Sequence, residues 1–105
     1  MAGCRSDYIP SLLQEEENCY ICGRRDHKLD RHEVFGGAYR QKSKAYGLWV
    51  LLCHESCHLG GVHKHPEEYR WLKKRAQEAA MSAYGWSIDV FREIFGKNYL
   101  EVDDG

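Results

Sequence analysis

The sequence predicts a small α+β domain in which a short β-hairpin, held by a metal ion, is followed by a helical tail. Three observations predict it. Two pairs of cysteines are separated by thirty residues, two short β-forming segments lie between them, and the last third of the chain has helical periodicity. A chain of 105 residues buries a core of only modest size, so a metal clip would add needed stability.

Two strands are predicted around the centre of the chain. Residues 29–35 have β-forming character and end at Gly36 and Gly37, and residues 48–52 (LWVLL) form a continuous apolar run too short for a helix. We interpret this run as a buried strand. The polar, basic residues 38–47 between the strands predict a loop or a short helix.

Two helices are predicted after the second strand. Pro66 suits the first turn of a helix that Gly85 ends, and Ser87 is placed to cap a second helix that Gly96 ends. Apolar residues at helical spacing give both helices one face for the core. We assign the larger aromatic side chains of the chain to this core: Trp49, Trp71, Trp86, Phe91 and Phe95.

The predicted domain organisation is a flexible acidic leader (1–17), a metal-bound core (18–65), C-terminal helices packed on that core (66–100) and an acidic tail (101–105). No apolar run approaches 18 residues, which argues against a membrane protein. The N-terminus lacks the basic start and long apolar stretch of a secretory signal, so we expect a cytoplasmic protein. In a reducing compartment clustered cysteines are more often metal ligands than disulfides. We expect no role for the isolated Cys4.

Four of the five cysteines form the predicted structural zinc site: Cys19, Cys22, Cys53 and Cys57. Zinc favours closed tetrahedral sites of this composition. The arrangement fits a treble-clef finger, in which a knuckle supplies one pair and the first turn of a helix supplies the other. The second pair has three intervening residues where two are usual, so His54 or His58 could replace one thiol.

Three of the six histidines carry a second prediction. His32 ends the first strand, His58 follows the last cysteine, and His63 lies in GGVH. A strand with a His, a zinc-clipped turn and a helix entry with further histidines is the layout of a ββα-metal site, in which one divalent ion faces a phosphate. Hydrolysis of a phosphodiester needs an activated water and neutralised phosphoryl oxygens, which an imidazole and a metal ion can supply.

The segments RHEVFGG, YGLWVLLC, GVH and FREIFGKNYL resemble those of small HNH-endonuclease-like proteins encoded by bacteriophages and prophages. The resemblance covers nearly all of residues 19–100. It implies a zinc-stapled ββα-metal core, a bacterial host cell, and cleavage of DNA that depends on a second ion, Mg²⁺ or Mn²⁺. It places His32 in the first motif and His58 or His63 in the last.

The first motif departs from the family pattern, which has a His-His or Asp-His pair: a metal ligand and then the general base. This chain has His32-Glu33, or Arg31-His32 if the register shifts by one. In the first register His32 binds metal and Glu33 is the candidate base. In the second His32 is the base and Asp30 is a candidate ligand. The middle Asn of the family has no counterpart in residues 46–48.

The charge distribution is compatible with a nucleic-acid partner. The net charge is −1, yet residues 19–100 hold fourteen Lys and Arg against nine Asp and Glu. Basic side chains near the candidate site are predicted to contact DNA phosphates: Arg24, Arg25, Arg31, Arg40, Lys42 and Lys44. The resemblance, with which this charge distribution agrees, implies an HNH-like DNA endonuclease, and we expect no small-molecule cofactor. The alternative is a non-catalytic zinc module that binds DNA or a phage protein; neither prediction extends to the oligomeric state.

Overall fold

The described residues form a two-stranded antiparallel hairpin and three α-helices, which confirms the α+β prediction. The computed structural model describes residues 9–25 and 28–100. Strands β1 (Leu29–Glu33) and β2 (Trp49–Cys53) pair with His32 opposite Val50. The predicted leader before residue 9, the tail after residue 100, and Cys4 lie outside the described residues.

Helical segments connect the two strands and follow them. They are α1 (Arg40–Tyr46), α2 (Arg70–Tyr84) and α3 (Ile88–Phe95), with 3₁₀ turns before α1 and α2 (Gly37–Tyr39 and Pro66–Tyr69) and a wide π-helical segment after β2 (His54–Val62). Within the described residues, no helix combines the length and apolar character needed to cross a membrane.

The connection between the strands forms the short helix α1, one of the two structures predicted for it. The buried Ser43 hydroxyl donates to the Phe35 carbonyl at 2.8 Å and accepts from the Phe35 N–H at 3.1 Å. These two bonds tie α1 to the chain that leaves β1. Gly47 ends α1 at φ 75°, where an added Cβ would lie 2.6 Å from the Pro10 carbonyl oxygen.

The second half of the predicted leader lies along the other edge of β2. The Ser11 hydroxyl donates to the Trp49 carbonyl at 2.6 Å, and the Leu51 N–H donates to the Gln14 side-chain oxygen at 2.6 Å. The Tyr20 N–H also donates to the Leu51 carbonyl, at 2.8 Å. Backbone groups of β2 are therefore satisfied by β1 on one side and by this segment on the other.

The core lies between the hairpin and the two C-terminal helices. It contains Val50 and Leu52 of β2, a stripe of α2 that includes Leu72, and both Phe91 and Phe95 of α3. The prediction that Trp71 belongs to the core is wrong, since this side chain is 44% exposed. Trp71 directly precedes the buried Leu72, and consecutive helical side chains point about 100° apart.

Predicted helix boundaries agree closely with the structure. The Ser87 hydroxyl accepts from the Val90 N–H at 3.2 Å, as a helix cap does. Gly85 and Gly96 end α2 and α3 at φ 69° and 81°. Pro66 begins a 3₁₀ turn, and the α-helical part of this region starts only at Arg70.

A buried glutamine fixes the chain that follows α3. The Gln77 side chain is fully buried in α2. Its amide nitrogen donates to the Asn98 side-chain oxygen at 2.8 Å, and its oxygen accepts from the Tyr99 N–H at 2.7 Å. The segment after Gly96 is therefore folded back onto α2.

Candidate functional site

The four predicted zinc ligands converge in one cluster. The sulfur atoms of Cys19, Cys22, Cys53 and Cys57 all lie within 4.8 Å of one another. The sulfurs of Cys22 and Cys53 are 3.3 Å apart, close to the roughly 3.8 Å edge of a tetrahedral zinc site with four thiolates. Three of the four cysteines are buried and Cys22 is exposed. The cluster could hold a metal ion such as zinc.

Local backbone geometry explains how these sulfurs meet. Gly23 adopts φ 82°, and its N–H donates to the Cys19 carbonyl at 2.8 Å, which closes the turn between Cys19 and Cys22. Cys53 is the last residue of β2, whereas Cys57 lies in the π-helical segment. The second pair therefore spans a strand end and a wide helical turn, where the sequence predicted a single helix face. The extra residue between these cysteines is accommodated by that junction.

The protonation of the cluster is uneven. Burial raises the pKa of Cys19, but hydrogen bonds from backbone N–H groups of Cys22, Cys53 and Ile21 and from the Cys57 thiol outweigh it and lower that pKa to about 6. Burial, together with the bond to Cys19, raises the pKa of Cys57 to about 12. One thiolate is thus favoured before metal binds, and binding would release the remaining protons.

The three predicted histidines also form one cluster. Ring nitrogens of His32, His58 and His63 all lie within 4.8 Å of one another. The Nε2 atoms of His58 and His63 are 3.1 Å apart, near the roughly 3.4 Å expected for two imidazoles on one tetrahedral zinc ion. Three convergent imidazoles could hold a divalent transition-metal ion.

The π-helical segment brings His58 and His63 together. The His63 N–H donates to the His58 carbonyl at 3.1 Å, an i→i+5 bond. In an α-helix, residues five apart would point about 140° away from each other. Sequence spacing alone therefore gave no reason to place these two side chains side by side.

Asp30 orients two of the imidazoles that surround it. Its Oδ2 lies 2.6 Å from Nδ1 of His54 and 2.8 Å from Nδ1 of His58. When Nδ1 of His58 donates its proton to this carboxylate, Nε2 keeps a lone pair for a metal ion. Burial raises the pKa of Asp30, but the bonds from the two histidines hold it below its usual value.

Neither histidine next to the cysteines takes a thiol's place. His54 and His58 were both candidates for replacing one cysteine on zinc, yet both point Nδ1 at Asp30 and the sulfur cluster is complete without them. Asp30 contacts Nδ1 of His58, whereas Nε2 of that ring faces His63. Because Asp30 therefore lies outside the histidine cluster, the arrangement favours the register in which His32, and not Asp30, is a metal ligand.

His32 is held in its neutral, metal-binding form. Burial lowers its pKa to about 4, and the electrostatic effects of the nearby His58, His63 and Lys73 lower it further. The His32 side chain lies on the same face of β1 as that of Asp30, because Asp30 precedes His32 by two residues. At neutral pH the ring is therefore neutral, and one of its two nitrogens keeps a lone pair that can bind a cation.

Glu33, the other candidate catalytic residue, lies in a cleft beside the three-histidine cluster. The cleft has a volume of about 320 Å³, and residues of β1, the π-helical segment and α2 line it, including His32, Glu33, His63 and Lys73. One Glu33 carboxylate oxygen is 3.6 Å from the Arg40 guanidinium. Glu33 thus lines the cleft at the end of β1, and its carboxylate is a hydrogen-bond acceptor beside Arg40.

The six predicted phosphate contacts are distributed over several surfaces. Arg40 lies beside the cleft through Glu33, and Arg25 pairs with Glu16 at 3.1 Å. The Lys42 ammonium donates to the Ile94 carbonyl at the end of α3. The remaining three are Arg24 beside the cysteine cluster, Arg31 against the Trp49 ring and the half-buried Lys44.

Two residues near the site were not assigned these positions from the sequence. Asp30 was considered only as a metal ligand, and Lys73 was not among the predicted site residues. Asp30 could have been found because residues two apart on a strand, such as Asp30 and His32, share one face. Lys73 could have been found because it directly follows Leu72, which lies on the apolar face of the predicted helix.

No protein-family model matches the chain, and no curated protein and no solved structure matches it.

Proposed function

We propose that the protein is an HNH-like, metal-dependent endonuclease that hydrolyses DNA phosphodiester bonds on a treble-clef, ββα-metal core. The observation that carries this proposal is the convergence of His32, His58 and His63 beside a hairpin that four cysteines hold together. Structural zinc sites are closed, whereas catalytic metal sites keep a position open for water or substrate. The cysteine cluster therefore suits a structural role, and the histidine cluster beside a cleft suits a catalytic one.

The cysteine cluster is assigned to structural zinc. Its four sulfurs satisfy tetrahedral zinc without a position left for water, and three of the cysteines are buried. Zinc there would connect the knuckle before β1 to the end of β2. Because a domain of this size has a modest core, that link would supply much of its folding free energy.

The histidine cluster is assigned to the second, catalytic ion. Both Mg²⁺ and Mn²⁺ were expected from the sequence, but Mg²⁺ prefers oxygen ligands and usually keeps several waters. Three imidazole nitrogens favour a transition ion such as Mn²⁺ or Zn²⁺. When bound, the ion would neutralise charge on the phosphoryl and leaving oxygens.

The chain's own residues supply the rest of the chemistry. Asp30 holds the His58 ring in the tautomer that leaves Nε2 available, and His32 stays neutral at the pH of the cell. Glu33 is the candidate general base, because this residue lines the same cleft as His32 and His63. A general base takes a proton from the water molecule that attacks the phosphorus. Arg40, which neutralises Glu33, would hold that carboxylate in place.

One observation favours the alternative, a non-catalytic zinc module that binds DNA or a phage protein with the same surface. Glu33 is already paired with Arg40, and residues 46–48 carry no amide side chain to orient a catalytic loop. In that case the three histidines would serve the fold or hold an ion without cutting.

A plasmid-nicking assay separates the two functions. Zinc-loaded protein is assayed with Mn²⁺, Mg²⁺ or EDTA, beside His32→Ala and the control His65→Ala, whose side chain is exposed. Nicking that needs added metal, survives in His65→Ala and disappears in His32→Ala supports the nuclease. Salt-sensitive DNA binding without nicking, under every metal tested, would support the binding module instead.

A further inference from the structure

A cluster of positive charge lies at the α2 side of the histidine cleft. Lys73 lines the cleft with His32 and His63, and its side chain is half-buried. The ammonium groups of Lys73 and Lys97 lie 5.5 and 5.4 Å from the centre of the Tyr99 ring. Two amines from different parts of the chain therefore contact one aromatic ring.

These cations lack an acidic counterpart in the described part of the chain. No carboxylate of residues 9–25 and 28–100 lies within 4.0 Å of Lys73, Lys97 or Arg70. Burial lowers the pKa of Lys73, and the charges of Lys97 and Arg70 lower it further. Like charges gathered around a partly desolvated ammonium are unfavourable in the free protein, and a bound anion would relieve them.

The cluster is built by the fold and does not depend on mobile side chains alone. Buried Gln77 binds both Asn98 and the backbone of Tyr99, so the residues after α3 are held on α2. The Tyr99 ring also packs against Phe35 with 5.1 Å between ring centres. The backbone that carries Lys97 is thereby fixed next to the helix that carries Lys73.

We propose that Lys73 and Lys97, together with Arg70 one helical turn before Lys73 on α2, form a subsite for a backbone phosphate of DNA. The subsite rests on the proposed function: it would take a phosphate neighbouring the one that faces the three histidines. A phosphodiester suits it because the anion is small enough for one pocket yet repeats along the strand, so one linkage reaches the histidines while another reaches the cations. The subsite positions DNA and takes no part in the chemical step.

Binding measured without cleavage tests the subsite. A short fluorescein-labelled DNA duplex is titrated with zinc-loaded protein over a series of salt concentrations, with no second metal ion added. Lys73→Met and Lys97→Met are compared with Lys74→Met, which removes the same charge from an exposed position on α2. Methionine keeps the length and helix propensity of the side chain.

Lys73→Met and Lys97→Met are each expected to weaken DNA binding about tenfold and to reduce the slope of log affinity against log salt by about one. Lys74→Met should keep most of the affinity. Lys73→Met should also melt at the wild-type temperature or above it in the absence of DNA, because a repelled, desolvated charge has been removed.

Equal affinity and an equal salt slope for all three variants would overturn the subsite. This comparison of binding does not require that the wild-type protein nicks DNA. A protein that nicks DNA while Lys73→Met binds normally would keep the proposed function and refute the subsite. A protein that never nicks DNA, but whose binding is lost in Lys73→Met and Lys97→Met, would keep the subsite and refute the nuclease.

Discussion

The Asp30 carboxylate and the His58 ring are joined by a hydrogen bond of 2.8 Å between Oδ2 and Nδ1. Because the same oxygen also lies 2.6 Å from Nδ1 of His54, this one side chain on β1 holds two residues of the π-helical segment. It thereby links the strand that carries His32 to the segment that carries His58. The orientation of one candidate metal ligand, His58, depends on a residue that is not itself in the cluster.

Replacing this carboxylate is expected to weaken binding of the second ion. Asp30→Asn keeps the size of the side chain but removes its charge and one of its acceptor oxygens, so Nδ1 of His58 loses its strongest partner. Loss of such a supporting group typically costs about 10–100-fold in metal affinity. Titration with Mn²⁺ of protein that carries a single equivalent of zinc measures it. Asp89→Asn, at a fully solvated position of α3, is the control, and equal affinities for both variants would refute the role of Asp30.

Glu33→Gln distinguishes the two registers of the first motif. If Glu33 is the general base, the amide should lower kcat for nicking by roughly 10²–10⁴-fold while Mn²⁺ affinity stays unchanged. Glu93→Gln on α3 provides a control of the same chemistry. Should Glu33→Gln retain full activity, the base must be sought elsewhere, and His32 becomes the first residue to test in that role.

The cysteine cluster is expected to be necessary for the fold. Cys53→Ser removes one buried zinc ligand, so zinc content should fall and the cooperative thermal transition should broaden or disappear. Cys4→Ser removes the cysteine for which no role is expected and should retain the zinc and melting temperature of the wild type. Elemental analysis and circular dichroism measure both. Full zinc content in Cys53→Ser would show that three thiols suffice.

Stability should fall on the acid side because of His32. Its pKa is about 4 in the folded protein and about 6.5 when the ring is exposed. Above pH 6.5 the ring is neutral in both states; between pH 6.5 and 4 only the unfolded chain takes up the proton. The free energy of unfolding should therefore drop across this window, by about 3 kcal/mol in total.

Urea unfolding at a series of pH values, without added second ion, tests this expectation. His32→Asn cannot take up a proton and should be less dependent on pH over the same window, whereas His65→Asn should follow the wild type. Parallel curves for the wild type and His32→Asn would show that the ring is accessible to protons in the folded state.

Much of the fold was predictable because its signals are local. The apolar run of β2, the caps at Ser87 and Gly85, and the paired cysteines each depend on a few neighbouring residues. What the sequence did not give depends on packing. Trp71 is exposed because the neighbouring Leu72 occupies the buried face of α2. The pairing of His58 with His63 requires a π-helical turn, for which we find no signal in the sequence of the segment.

The segment after α3 provides a last test, since its position depends on one buried amide. Gln77→Ala would leave Asn98 and the Tyr99 N–H without their partner and open a cavity in α2. We expect a loss of about 3 kcal/mol in the free energy of unfolding, measured by urea titration, whereas Gln41→Ala on the exposed side of α1 should change it little. Because Tyr99 and Lys97 would then be released from α2, salt-sensitive DNA binding should weaken in the same variant. Unchanged stability would mean that packing of Tyr99 against Phe35 holds the segment without Gln77.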